Sequence, residues 1–291
     1  MSSDIMPMTE PRPRRQRSQR SGATDAALLF DEPGPRGRIL IAIGSVVAVI
    51  GIAALAAAVL YRLDLAGQLD YPKWRYFLGQ SVVSQLLEAA GTTLTLGGVA
   101  AVLTFPLGIA LGWLRLLDNR PIKWLVGLWI DAMRAVPMLL LVYFFLLVVP
   151  RFATISDFWK LALPIVMCTS ATTAEVFRSG VRALDRGQTE AAWALGMSSS
   201  LTMRLILAPQ ALRLMLPTLI TQMVTIIKGT TLAYVLAYPE LMYRGSTMIG
   251  QAKIDAHLSV FFQTYVIIAV LYIIVNWSLG ALARYIESRT R

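Results

Sequence analysis

The chain has 291 residues, of which 56% are hydrophobic and 15% charged, and its mean hydropathy is +0.60. An average soluble domain carries roughly 25% charged residues, so a soluble globular protein is excluded and an all-α integral membrane protein is expected. The net charge of +10 comes without a basic platform interleaved with aromatics, which makes it a signal of orientation in a membrane rather than of nucleic acid.

Residues 1–38 carry Arg12, Arg14, Arg15, Arg17 and Arg20 in a stretch rich in Pro, Ser and Gln. Such a composition cannot bury a core, and the segment is predicted to be a disordered cytoplasmic tail resting on anionic lipid. The next apolar segment starts too late and runs too long for a signal peptide. Residues 39–61 contain no charged side chain and as a helix would be about 34 Å long, enough to cross a bilayer. A mixed segment, 62–85, follows with Asp70, Trp74 and Tyr76, its aromatics suited to a membrane interface.

Further spans are predicted at 87–114, 124–150, 160–178, 216–241 and 262–283, giving six. The second holds Gly108 and Gly112 in a Gly-x3-Gly spacing, with Gly97, Gly98 and Pro106 nearby; small residues let helices approach closely. In the third, Arg134 and Pro137 stand at the start of a long apolar run. A cation there is either paired, in contact with substrate, or near enough to the surface to snorkel. In the fourth, Glu175 and Arg178 stand at i,i+3 and can pair on one helix face. Lys228 lies in the fifth, where Glu175, a substrate carboxylate or water could answer its charge.

Between the fourth and fifth spans, residues 179–215 form a loop with polar edges. Thr189 is a plausible N-cap for a short helix through Ala191, Ala192, Ala194 and Leu195. Gly196 can adopt a positive φ and stop that helix. Ser198 or Ser199 can cap a second helix, which Pro209 would end or kink. A helix–Gly–helix corner projecting from a membrane is a rigid knob suited to a partner.

Of the 27 Lys and Arg residues, 18 fall in segments that lie on one side if both termini are cytoplasmic, and 7 in segments on the other. The positive-inside rule therefore places both termini and the 179–215 loop in the cytoplasm. No inverted repeat is visible, unlike in many secondary transporters. Lone Cys168 and His257 exclude an intramolecular disulfide and a Cys/His metal site. No Gly-x4-Gly-Lys-Ser/Thr occurs, so the chain carries no P-loop.

Residues 190–209 resemble the coupling loop of ABC-importer permease subunits, whose pattern is Glu-Ala-Ala, three residues, Gly, nine residues, Ile-x-Leu-Pro. Glu190, Ala191, Ala192, Gly196, Ile206 and Pro209 fall in register, with Ala208 in the place of Leu. Arg134-Ala-Val-Pro137, Thr173 to Gly180 and Lys228-Gly-Thr-Thr-Leu232 are similar to segments of the polar amino-acid permeases, with Gly229 where Asp is usual. Residues 29–38 before an extra span resemble glutamate-type permease subunits of some Gram-positive bacteria.

The resemblance implies an ABC type I importer permease core of five spans in residues 80–291, an added N-terminal span at 39–61, and a place in a bacterial plasma membrane. It implies ABC ATPase subunits that hold ATP and magnesium, a second permease chain or a homodimer, and an extracytoplasmic solute-binding protein. This chain would itself be no enzyme and hold no cofactor. Glutamate or glutamine is the implied substrate, with another small polar solute as the alternative. An ion-coupled transporter or channel would need acids at mid-span, and Glu175 is the one clear candidate, near a span end.

Overall fold

The computed structural model describes residues 34–290; the arginine-rich tail and half of the 29–38 segment lie outside them. The chain divides after Ala66 into two units. The first contains helix α1 (Pro35–Leu65), which starts with proline in its first turn, where a missing N–H costs nothing. It therefore extends the expected 39–61 span at both ends.

The regular elements described in the second unit are all helices. Its elements are α2 (Tyr71–Arg75), α3 (Gln80–Leu116), α4 (Arg120–Ala135), α5 (Met138–Leu147), α6 (Asp157–Arg182), α7 (Arg186–Ala194), α8 (Ser199–Thr202), α9 (Ala208–Gly229), α10 (Leu241–Asp255) and α11 (Phe261–Thr290). Among the described residues, four helical stretches are long and apolar enough to cross a membrane: Arg36–Leu65, Gln80–Leu116, Ser199–Leu236 and Phe261–Leu282. The pair α4 and α5 makes a fifth if taken as one bent span.

Helix α6 covers the remaining expected span, 160–178, but is less apolar than those four. Its position explains why. Half of its 26 residues are buried, and it packs against α3, α4, α5 and α9, so protein rather than lipid is its solvent. Polar side chains are tolerated there because they find partners: the Thr104 and Thr169 hydroxyls lie 2.8 Å apart, and Thr173 donates to the Thr169 carbonyl at 2.8 Å.

The α3–α6 contact depends on missing side chains. A β-carbon at Gly108 would lie 2.8 Å from the Ser170 carbonyl oxygen, and one at Gly112 2.6 Å from that of Ala174. Both obstacles are backbone and cannot rotate away, so the Gly-x3-Gly spacing is a packing device, as expected.

Two expected spans are not continuous. The run 124–150 breaks at Val136 and Pro137, and α4 and α5 meet at 95°. Proline cannot continue the preceding helix and drives the residue before it toward extended backbone; Val136 sits at φ −76, ψ 128. The run 216–241 ends early. Helix α9 tightens at Thr230 into a 3₁₀ segment that stops at Leu236, and Ala237 turns left-handed at φ 52. Residues 241–255, expected as part of a loop, form α10, whose buried Leu241, Gly245, Met248 and Ala252 recur at helical spacing.

The packing account predicts that Gly108→Val and Gly112→Val each destabilise the chain by about 1–3 kcal/mol or more. Gly98→Ala should be neutral, since nothing lies within 4 Å of the added carbon. Thermal-shift size-exclusion chromatography in detergent would measure this, and equal melting of all three variants would contradict it.

Candidate functional site: a helical corner and the charged turn that leads to it

The corner is built by local capping. Helix α7 begins at Arg186, and Asp185 is its N-cap, accepting a hydrogen bond from the Gly187 amide at 2.7 Å. Thr189 lies inside the helix and does not cap it. A carboxylate four residues earlier takes that role because it reaches the free amides of the first turn and carries the charge the helix dipole favours there.

The other end of α7 is a Schellman motif. Gly196 has φ 76, its amide donates to the Trp193 carbonyl at 2.9 Å, and the Met197 amide donates to the Ala192 carbonyl at 3.0 Å. Nothing lies within 4 Å of a β-carbon built on Gly196. Backbone conformation alone, not crowding, requires glycine there. Ser198 then caps α8, its hydroxyl accepting from the Leu201 amide at 3.3 Å, as expected.

Beyond α8 the backbone widens into a π-helical turn, Met203–Leu207, and continues as α9 with Pro209 in its first turn. Pro209 has no amide to donate back along the helix. It perturbs the helix without ending it.

The corner is fixed from beneath and open on top. Ala192 is buried beneath α7, which packs on the segment from Ser199 to Leu207. Gln210 donates to the Gln188 side chain at 3.4 Å, tying α9 to α7. Leu207, Ala208, Ala211 and Met215 pack with Phe177 and Val181 of α6, and Ile206 packs at the edge of this cluster. Glu190 and Ala191 are exposed. Leu195 is 82% and Trp193 55% exposed, an apolar tip that only a partner surface or lipid would cover.

The last two turns of α6 carry a charge network into this corner. Arg178 pairs with Glu175, its Nε lying 3.0 Å from Oε2 and its Nη2 closing on Oε1. Arg115 of α3 reaches the same carboxylate at 3.1 Å and holds Asp131 of α4 through two contacts of 3.0 and 3.2 Å. The i,i+3 pair was expected; Arg115 and Asp131, which make it a junction of three helices, were not.

The remaining sequence candidates lie apart from the corner. Arg134 and Pro137 stand at the α4–α5 break and are exposed. Lys228 is exposed in the last turn of α9, and the arginines already occupy Glu175, so a Lys228–Glu175 pair is not formed. The two backbone breaks are neighbours: a β-carbon on Gly229 would lie 3.5 Å from the Met138 sulfur. A fully buried acid also went unnoticed. Glu240 caps α10, accepting from the Tyr243 amide at 2.8 Å and the Tyr272 hydroxyl at 2.7 Å. Its position after the Tyr-Pro turn was the available signal.

The described residues thus form a core of apolar helices that bears an exposed, internally braced corner. Residues 104–291 match the family of binding-protein-dependent transport system inner membrane components, and the chain belongs to that family. It is 34% identical over 230 residues to the "Glutamate transport system permease protein GluD" of Corynebacterium glutamicum, covering 77% of this chain and 82% of that one. It is 33% identical over 198 residues to the "Probable glutamine ABC transporter permease protein GlnP" of Bacillus subtilis, covering 68% and 89%. The fold is similar to one solved as "Crystal structure of an amino acid ABC transporter with histidines", with a TM-score of 0.64 at 24% identity over 72% of this chain and 95% of the other.

The left-handed residue yields a direct test. Gly196→Val should cost about 1–2 kcal/mol of local stability, while Gly196→Asn should cost much less, because Asn tolerates this conformation. Hydrogen exchange of the amides from 186 to 202 would read the difference. Equal protection in both variants would show that the Schellman turn does not hold the corner.

Proposed function

We propose that this permease imports glutamate or glutamine as one subunit of an ATP-driven assembly, and that the Asp185–Pro209 corner is where an ATPase subunit engages it. The observation that carries the coupling role is the corner itself, with a braced underside, an exposed apolar tip and Glu190 on the free surface. The substrate assignment draws on the relatives, named for glutamate and glutamine transport.

In this reading residues 80–291 form the permease domain and 39–61 an added span. Both termini and the corner face the cytoplasm of a bacterial plasma membrane, in keeping with the distribution of Lys and Arg. A second permease chain or a second copy completes the pathway, and an extracytoplasmic binding protein delivers the solute. ATP and magnesium reside on the ATPase, and this chain performs no chemistry. Movement of the corner is transmitted through α6 and α9, which share its apolar cluster, shifting the bundle between outward and inward openings.

The adjoining backbone breaks at Pro137 and Gly229 serve as the translocation surface. Interrupted helices at membrane depth belong where they line a cavity. Arg134 and Lys228 are exposed cations near these breaks that supply positive charge to a passing carboxylate.

Uptake into proteoliposomes containing this chain, its ATPase and its binding protein tests the reading. Glutamate or glutamine should accumulate only with ATP. Glu190→Lys should reduce uptake at least tenfold by placing a like charge against a surface that faces a carboxylate. Preference for arginine or histidine would overturn the substrate, and normal uptake by Glu190→Lys would overturn the coupling role.

A further inference from the structure

Two adjoining depressions on α3 and α4 have complementary chemistry. One is an open cleft of about 380 Å³ lined by Arg115, Lys123, Trp124, Asp131, Arg178 and Arg182. The other is a larger groove of about 710 Å³, with Leu107 and Leu111 of α3 facing Leu125, Trp129 and Met133 of α4, and every lining residue apolar. Leu128 lines both, so the basic cleft opens directly onto the apolar groove.

The charge balance within the cleft is uneven. Arg115 and Arg178 are offset by Glu175 and Asp131. The side chains of Lys123 and Arg182 have no hydrogen-bond or ion-pair partner among the described residues. Two positive charges are therefore left at the mouth of the cleft. Gly127 lies under the Arg115 guanidinium, which rests over the helix 3.6 Å from where a β-carbon would stand, an ordinary contact distance.

We infer that this is a site for one anionic phospholipid, its phosphate held by Lys123 and Arg182 and an acyl chain lying in the α3–α4 groove. A free phosphate would use the cleft and ignore the groove, and a neutral lipid would do the reverse. Only an anionic lipid answers both, and basic pockets between helices are suited to such headgroups. Trp124 lines the cleft and Trp129 the groove, and such amphipathic rings settle at the headgroup level. The inference rests on membrane residence alone and is independent of the transported solute. It has a consequence for the corner, because Arg182 also lines the cleft behind α7 with Asp185 and Thr189. A lipid held there bears on the turn that leads from α6 into the corner.

The test uses the full-length chain in nanodiscs containing equal phosphatidylglycerol and phosphatidylcholine, followed by a detergent wash and mass spectrometry of the retained lipid. The wild type should retain phosphatidylglycerol preferentially. Lys123→Gln and Arg182→Gln should each cut that preference about fivefold, while Arg151→Gln, remote from the site, should not. Both substituted positions are exposed, so folding is not at stake, and unchanged melting confirms it. Ala132→Trp, filling the groove, should abolish retention.

Equal retention of the two lipids by the wild type would overturn the site, as would an unaltered preference in the Lys123→Gln and Arg182→Gln variants. Equal binding of soluble glycerol phosphate to the wild type and to Ala132→Trp, with no preference for phosphatidylglycerol, would reassign the cleft to a free anion. Cross-linking of Leu128→Cys to a protein subunit in the assembled transporter would show that a protein occupies the groove instead.

Discussion

The close approach of α3 and α6 is the constraint on which the rest of the second unit depends. With hydrogens at Gly108 and Gly112, the two backbones meet where any side chain would strike a carbonyl oxygen of the opposing helix. In a bilayer there is no hydrophobic gain from bringing two apolar helices together, so van der Waals packing of this kind must hold them. Once seated, α6 is covered on several sides and can carry Thr169, Thr173, Glu175 and Arg178, which would be costly against lipid. Its last turns then deliver a charged junction and a firm starting point for the corner.

From that starting point each step is local. Asp185 opens α7, Gly196 closes it, Ser198 opens α8, and the π-turn before Pro209 returns the chain to the bundle. The corner adds little core of its own: Ala192 and Thr202 are its buried residues between 186 and 202. Its rigidity comes instead from satisfied helix ends and from the cluster of Leu207, Ala208 and Ala211 against Phe177 and Val181. A knob built this way can be pushed without melting, because the displacement passes into α6 and α9 rather than into a loop.

Features written within a few residues of one another were legible in the sequence. The corner's glycine and second cap follow from Gly196 and Ser198, and the Gly108–Gly112 spacing announces a tight helix contact. Glu175 and Arg178 advertise their pair by lying three apart. What escaped depends on distance or on polarity within apolar runs. Arg115 meets Asp131 across 16 residues and Glu175 across 60, and nothing local marks such partners. Averaged hydropathy carried the third span straight through Pro137 and concealed the amphipathic α10, although both Pro137 and the spacing of Leu241, Gly245, Met248 and Ala252 were visible signs. Glu240 was hidden likewise inside an apolar stretch, where its capping role gives a carboxylate a reason to be buried.

The central claim is that the corner is a rigid extension of α6 and α9 rather than a loop that flexes independently. Pulsed electron paramagnetic resonance between spin labels at Leu195→Cys and Phe152→Cys measures this within one chain. Both positions are highly exposed, and Cys168 is replaced by Ala. Within the proposed assembly with an ATPase and a second permease chain, the account predicts one narrow distance distribution, unchanged on ATP binding, while the distance between the corners of the two permease chains changes. A broad distribution within the chain, or one that shifts with ATP while the intersubunit distance stays fixed, would contradict it.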